Sequence, residues 1–91
     1  MKHNKGFYEK SRSILAEFLL QIQKDDMQWV IDDLLTPQEI IELAERIELL
    51  KQLQQGKTQR DIAEDIGISV TTVNRWSRIL KYGTGSISHY L

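Results

Sequence analysis

The chain has 91 residues, 41% of them hydrophobic, with one proline, no cysteine and a formal net charge of −1. That composition excludes a disordered tail, a disulfide framework and a zinc finger, and no apolar alternation runs long enough to argue for a sheet. The apolar runs are four residues or fewer, too short to span a membrane, and the start lacks a signal-peptide core. The expectation is a cytoplasmic, all-α, single-domain chain (1–91) of five to six helices: a helical dimerisation body at 7–56, a helix-turn-helix at 57–83 and a short tail at 84–91.

Met1 to Gly6 is polar and basic and reads as a frayed terminus, with Lys2 and Lys5 able to brush phosphate. From Phe7 to Lys24, Ile14, Leu15, Phe18, Leu19 and Ile22 recur at three and four, which predicts one amphipathic helix. Met27 to Leu35 predicts a shorter second helix with Val30, Ile31 and Leu34 inward and Trp29 in a core or dimer interface. The start of the third helix is the sharpest in the chain: Thr36 at N-cap, Pro37 at N1 and Glu39 at N3 complete a capping box. That helix runs to about Gln55, with Ile40, Leu43, Ala44, Ile47, Leu50 and Leu53 as its stripe and Arg46 among glutamates on its surface.

After the stop at Gly56, Thr58 to Lys81 reads as two short helices around a turn at Gly67. Thr58 and Ser69 are the N-caps; Ile62, Ala63 and Ile66 face inward on the first helix, and Val73, Trp76 or Ser77, and Leu80 on the second. Counting Gln59 as position one places Ala63 fifth and Gly67 ninth, with Ile62, Ile66, Ile68, Val73 and Trp76 at the apolar places of a helix-turn-helix. Such a motif presents its second helix to the DNA major groove. Charge agrees with it. Residues 1–56 hold seven Lys/Arg against ten Asp/Glu, a net of −3, whereas residues 57–91 hold five against three, a net of +2. From Ile66 onward the only charged side chains are Arg75, Arg78 and Lys81. An acidic body behind a basic element orients the molecule toward phosphate, and modest affinity per subunit argues for a dimer.

Val70, Thr71 and Asn74 lie early on the second helix, where base edges are read; Asn pairs bidentately with adenine, and a Val or Thr methyl contacts thymine. Lys57, Gln59, Arg60, Ser77, Arg78 and Lys81 are placed for phosphates. Gly83 and Gly85 stop the second helix, and Ser86 to Leu91 is too short for a stable helix, although Ile87, Tyr90 and Leu91 have the character to dock on a neighbour. His3 and His89 have no partner at metal-ligand spacing, and no phosphate loop, carboxylate pair or activated nucleophile appears, so neither a metal nor an enzyme activity is expected.

Leu34 to Gly83, with its Leu-Thr-Pro helix start, an arginine two turns on, Gly-x-x-Gln-Arg and an arginine within the second short helix, resembles the tryptophan repressor family over roughly half the protein. The resemblance implies an intertwined all-helical homodimer whose two recognition helices face successive major grooves of double-stranded DNA. It also implies an effector pocket in the tryptophan-responsive members, matched here by Leu35, Thr36, Arg46 and Arg75, the two arginines sandwiching the indole. At two further pocket positions the chain departs from those members: Trp76 stands where they have glycine, and Ile79 where they have a serine for the amino group. Both changes disfavour L-tryptophan, and the Arg-Trp-Ser-Arg-Ile-Leu-Lys-Tyr-Gly run is more similar to the tryptophan-repressor-like group without a defined effector. The expected function is a sequence-specific DNA-binding repressor not gated by L-tryptophan and without cofactor. The alternatives are a repressor responsive to tryptophan or another small molecule, and a helical protein-interaction module.

Overall fold

A computed structural model describes residues 4–91; the expectations placed on Met1, Lys2 and His3 lie outside the described residues. Among those residues all regular structure is helical. The order is α1 (Lys5–Leu20), a 3-10 turn (Lys24–Asp26), α2 (Met27–Leu34), α3 (Pro37–Gln54), α4 (Gln59–Ile66), α5 (Val70–Tyr82) and a second 3-10 helix (Ser86–Tyr90). The chain divides into two compact units, one ending at Thr36 and the other spanning Pro37–Leu91. The division falls before α3, which packs with α4 and α5.

In the first unit, α1 starts earlier than the apolar pattern predicts because Asn4 caps it. The Asn4 Oδ1 accepts the Phe7 N–H at 2.8 Å, and the Asn4 carbonyl accepts the Tyr8 N–H at 3.1 Å. Lys5 and Gly6 are therefore helical rather than frayed. α1 also ends sooner, at Leu20. The Gln21 N–H donates to the Phe18 carbonyl at 3.1 Å and the Ile22 N–H to Leu19 at 3.3 Å, the tightened i−3 pattern of a helix end. No residue of α1, the 3-10 turn or α2 is buried. Ile14, Leu15, Phe18 and Leu19 are exposed, as is Leu34, and Trp29, expected in a core or interface, is 68% exposed.

The second unit has a core. Leu49 and Leu50 from α3, Ile62 and Ala63 from α4 and Val73 from α5 are buried, with Leu53, Ile66, Ile68, Trp76, Leu80 and Leu91 packed against them. Removing a side chain the size of Leu, Ile or Val from water stabilises by roughly 1.5–3 kcal/mol, so this cluster dominates the unit. The small Ala63 lets helices cross closely. Burial on α3 is confined to its last turns. Leu49 belongs to the core although the expected stripe omits it, whereas Leu43 and Ile47 of that stripe are exposed.

Gln52, only 4% exposed, interrupts this apolar set. Its Nε2 donates to Asp65 Oδ2 on α4 at 2.8 Å and to Glu48 Oε1 at 3.2 Å, which ties α3 to α4. The side-chain Oε1 of Gln52 is buried and accepts no hydrogen bond. The helix ends in a Schellman arrangement, with the Lys57 N–H reaching the Gln52 carbonyl at 3.2 Å and the Gly56 N–H reaching Leu53 at 3.0 Å. The tail forms a 3-10 helix rather than a loose stub, and the Gln54 Nε2 holds its Ser88 carbonyl at 3.2 Å. Leu91 docks on the core, while Tyr90 and Ile87 stay exposed.

Candidate nucleic-acid interface

Three local choices set the angle between α4 and α5. The Thr58 hydroxyl accepts the Asp61 N–H at 3.1 Å and the Ser69 hydroxyl accepts the Thr72 N–H at 3.1 Å, so both helices start where the caps dictate. Between them Gly67 takes a left-handed conformation (φ 82°), which a side chain rarely adopts. The Ala63 carbonyl receives both the Gly67 and the Ile68 N–H, at 2.9 and 3.1 Å. Val73 is then buried and Trp76 and Leu80 half-buried on the inner side of α5, which leaves the outer side open.

On that outer side Val70, Thr71, Asn74, Arg78 and Lys81 are exposed, as are Lys57 and Arg60 ahead of and within α4. Gln59 and Ser77 are half-buried, and both join a network: Gln59 Nε2 lies 3.5 Å from Asn74 Oδ1 and 3.4 Å from Ser77 Oγ. This links the start of α4 to the middle of α5. Tyr82, which the sequence reading passed over, sits beneath two of the cations, with the Arg78 guanidinium 5.9 Å and the Lys81 ammonium 5.5 Å from its ring centroid. For Arg78 the signal was there in the helical spacing, since Tyr82 follows it by four residues.

The residues considered for an effector separate. Arg46, half-buried, stacks its guanidinium 4.2 Å from the Trp76 ring centroid. Beside them lies a cavity of about 320 Å³ bounded by Glu42, Glu45, Arg46, Thr72, Arg75 and Trp76, with Leu49 and Ile68 also on its wall. Ile79 is not brought to it; that side chain lines a separate groove with Arg78, Tyr82 and Gly83. Leu35, half-buried, and Thr36, exposed, lie at the end of the first unit. The two glutamates were read from sequence only as surface charges. Among the described residues no group of acids and histidines could hold a metal ion, and no helix is long and apolar enough to cross a membrane.

Residues 10–91 match the family model of the Trp repressor protein. The uncharacterized protein YerC of Bacillus subtilis is 42% identical over 52 residues, covering 57% of this chain and 50% of YerC. A Trp operon repressor homolog of Photobacterium profundum is 37% identical over 70 residues, 76% of this chain and 66% of the relative. Another, from Vibrio atlanticus, is 28% identical over 75 residues, 81% of this chain and 76% of the relative. The chain thus spans about half the length of the first relative and just under two thirds of the second. No solved structure matches.

Proposed function

The chain belongs to the Trp repressor protein family, and from that premise we propose that it is a cytoplasmic, non-enzymatic, sequence-specific DNA-binding repressor acting as a homodimer. The observation that carries the reading is α5 itself. Its inner side is packed by Val73, Trp76 and Leu80, while its outer side offers polar and cationic groups with no acid after Asp65. In this reading α4, the Gly67 turn and α5 form a helix-turn-helix, with α5 in the major groove. Val70, Thr71 and Asn74 meet base edges, and Lys57, Arg60, Arg78 and Lys81 meet phosphates, which position without specifying. A second copy covers the exposed apolar stripe of α1 and the exposed Leu43 and Ile47 of α3, and its α5 enters the next major groove.

A salt-titrated binding assay tests the division of labour. Asn74→Ala relaxes base preference at a cost of about 1–3 kcal/mol on the preferred sequence. Arg78→Ala weakens all sequences similarly and flattens the salt dependence. Identical behaviour of the two variants would refute it. A protein-interaction module in place of a DNA reader would give no salt-dependent retention on heparin.

The repressor in this proposal is not gated by L-tryptophan. Trp76 places an indole in the chain itself, and Arg46 stacks on that ring at 4.2 Å, so the arginine face that would cover a free indole is already engaged. The reading head is thereby held in one pose, a pre-organised state rather than a ligand-selected one. Calorimetry decides: a saturable heat at micromolar L-tryptophan would sink this reading. The cavity of about 320 Å³ beside the stack favours one second reading, a repressor responsive to a different small molecule. The cavity wall carries two glutamates and two arginines, so its formal charge is balanced.

A further inference from the structure

Resting on the DNA-reading role of α5, we infer that Gln52 is a positioning residue. Its buried amide pins the end of α4 from which the Gly67 turn leads into α5, and thereby sets the pose of the reading helix. Two locally unfavourable choices meet there. Gln52 carries an amide into an apolar core and leaves its Oε1 buried without a hydrogen bond. Asp65 sets an acid in the last turn of α4, where the helix carbonyls disfavour negative charge and no basic residue offsets it. Local rules broken on both sides of one contact mark a functional constraint.

The contact is directional. Gln52 Nε2 donates across the helix boundary to Asp65 Oδ2 at 2.8 Å, and along its own helix to Glu48 Oε1 at 3.2 Å. Both partners are carboxylates, which accept only, so turning the amide over would set its carbonyl against two negative charges; the orientation is fixed. Burial of Leu49, Leu50, Ile62 and Ala63 holds α3 and α4 together, but apolar attraction is non-directional and permits small slides and rolls of α4. The 2.8 Å bond removes that freedom at Asp65, two residues before Gly67. The Gly67 and Ile68 N–H groups, both held by the Ala63 carbonyl, carry the constraint into the turn. Stability does not need the bond. Glu48 and Asp65 are exposed, so water replaces the amide as their donor when it is removed, and the unpartnered Oε1 goes with it.

The intact full-length protein first selects its preferred duplex from a random pool; affinity for that duplex and Tm are then measured in variants. Gln52→Met, close to glutamine in shape, should keep Tm within about 4 °C of the unaltered protein. It should nevertheless weaken DNA binding by about twofold to thirtyfold, although residue 52 touches no DNA. Asp65→Asn and Asp65→Leu remove the same charge, but only asparagine still accepts from Gln52. Asp65→Leu should therefore bind DNA about twofold or more weakly than Asp65→Asn, and in the Gln52→Met background that difference should vanish. A fall in Tm beyond the stated margin marks a merely structural Gln52 and overturns the inference. So does unchanged affinity in folded Gln52→Met, or a difference between the Asp65 variants that persists without Gln52. These results leave DNA recognition intact. Absence of salt-dependent binding of the unaltered protein to any DNA would overturn the DNA-reading role and the inference with it.

Discussion

In the Pro37–Leu91 unit, helices of 18, 8 and 13 residues take Leu49, Leu50, Ile62, Ala63 and Val73 out of water. The unit that ends at Thr36 has a 16-residue helix with an apolar stripe of its own, yet Ile14, Leu15, Phe18 and Leu19 all stay exposed. An apolar stripe states which face a helix is built to bury, not what will cover it. In the second unit the covering partner is supplied within the unit, a few residues along, through tight caps and turns. In the first unit it is not, and most helical stability comes from such packing rather than from propensity.

The largest expected effect is at the core. Ile62→Ala should cost about 2–5 kcal/mol in chemical denaturation, because it empties a site closed on all sides. Ile14→Ala, at an exposed position, should stay within about 0.5 kcal/mol in dilute protein. Equal losses at the two isoleucines would erase the contrast. Next is the covering of the first unit. If a second copy supplies it, Tm rises with protein concentration, and Phe18→Glu should abolish that rise while leaving dilute protein near its original Tm. A concentration-independent Tm in the unaltered chain would count against the homodimer. The smallest effect separates the caps. Ser69→Ala should cost about 1 kcal/mol, since α5 is held by its core, and Asn4→Ala, capping an uncovered helix, about 0.5 kcal/mol. Helicity by circular dichroism, followed with temperature, reads both.

Much of the second unit was legible in the chain because its signals are local. Thr58, Gly67 and Ser69 set the borders of α4 and α5 through bonds to neighbours three or four residues away, and such bonds depend on residue type and spacing. Which part of α3 is buried was not legible. Its period marks a whole stripe, but α4 and α5 cover only the last turns, so Leu49 is lost to solvent contact and Leu43 is not. Gln52 was hidden for a related reason: its buried amide donates to Asp65, thirteen residues on, as well as to Glu48 one turn back. The candidate site divides in the same way. Exposure of Asn74, Arg78 and Lys81 follows from period, whereas the fork from Gln59 and the platform under Arg78 and Lys81 depend on side chains meeting in space.

The chain's two tryptophans fall one to each unit. Trp29 lies in water, and Trp76 is half-buried beneath the Arg46 guanidinium. The chain thus carries two indole fluorophores in unlike surroundings. Exchanging either for phenylalanine leaves a single emitter: the Trp29 signal follows whatever comes to cover the first unit, and the Trp76 signal follows whatever disturbs the mount of α5. Covering of the first unit and motion of α5 can therefore be timed separately, in one protein, without an added label.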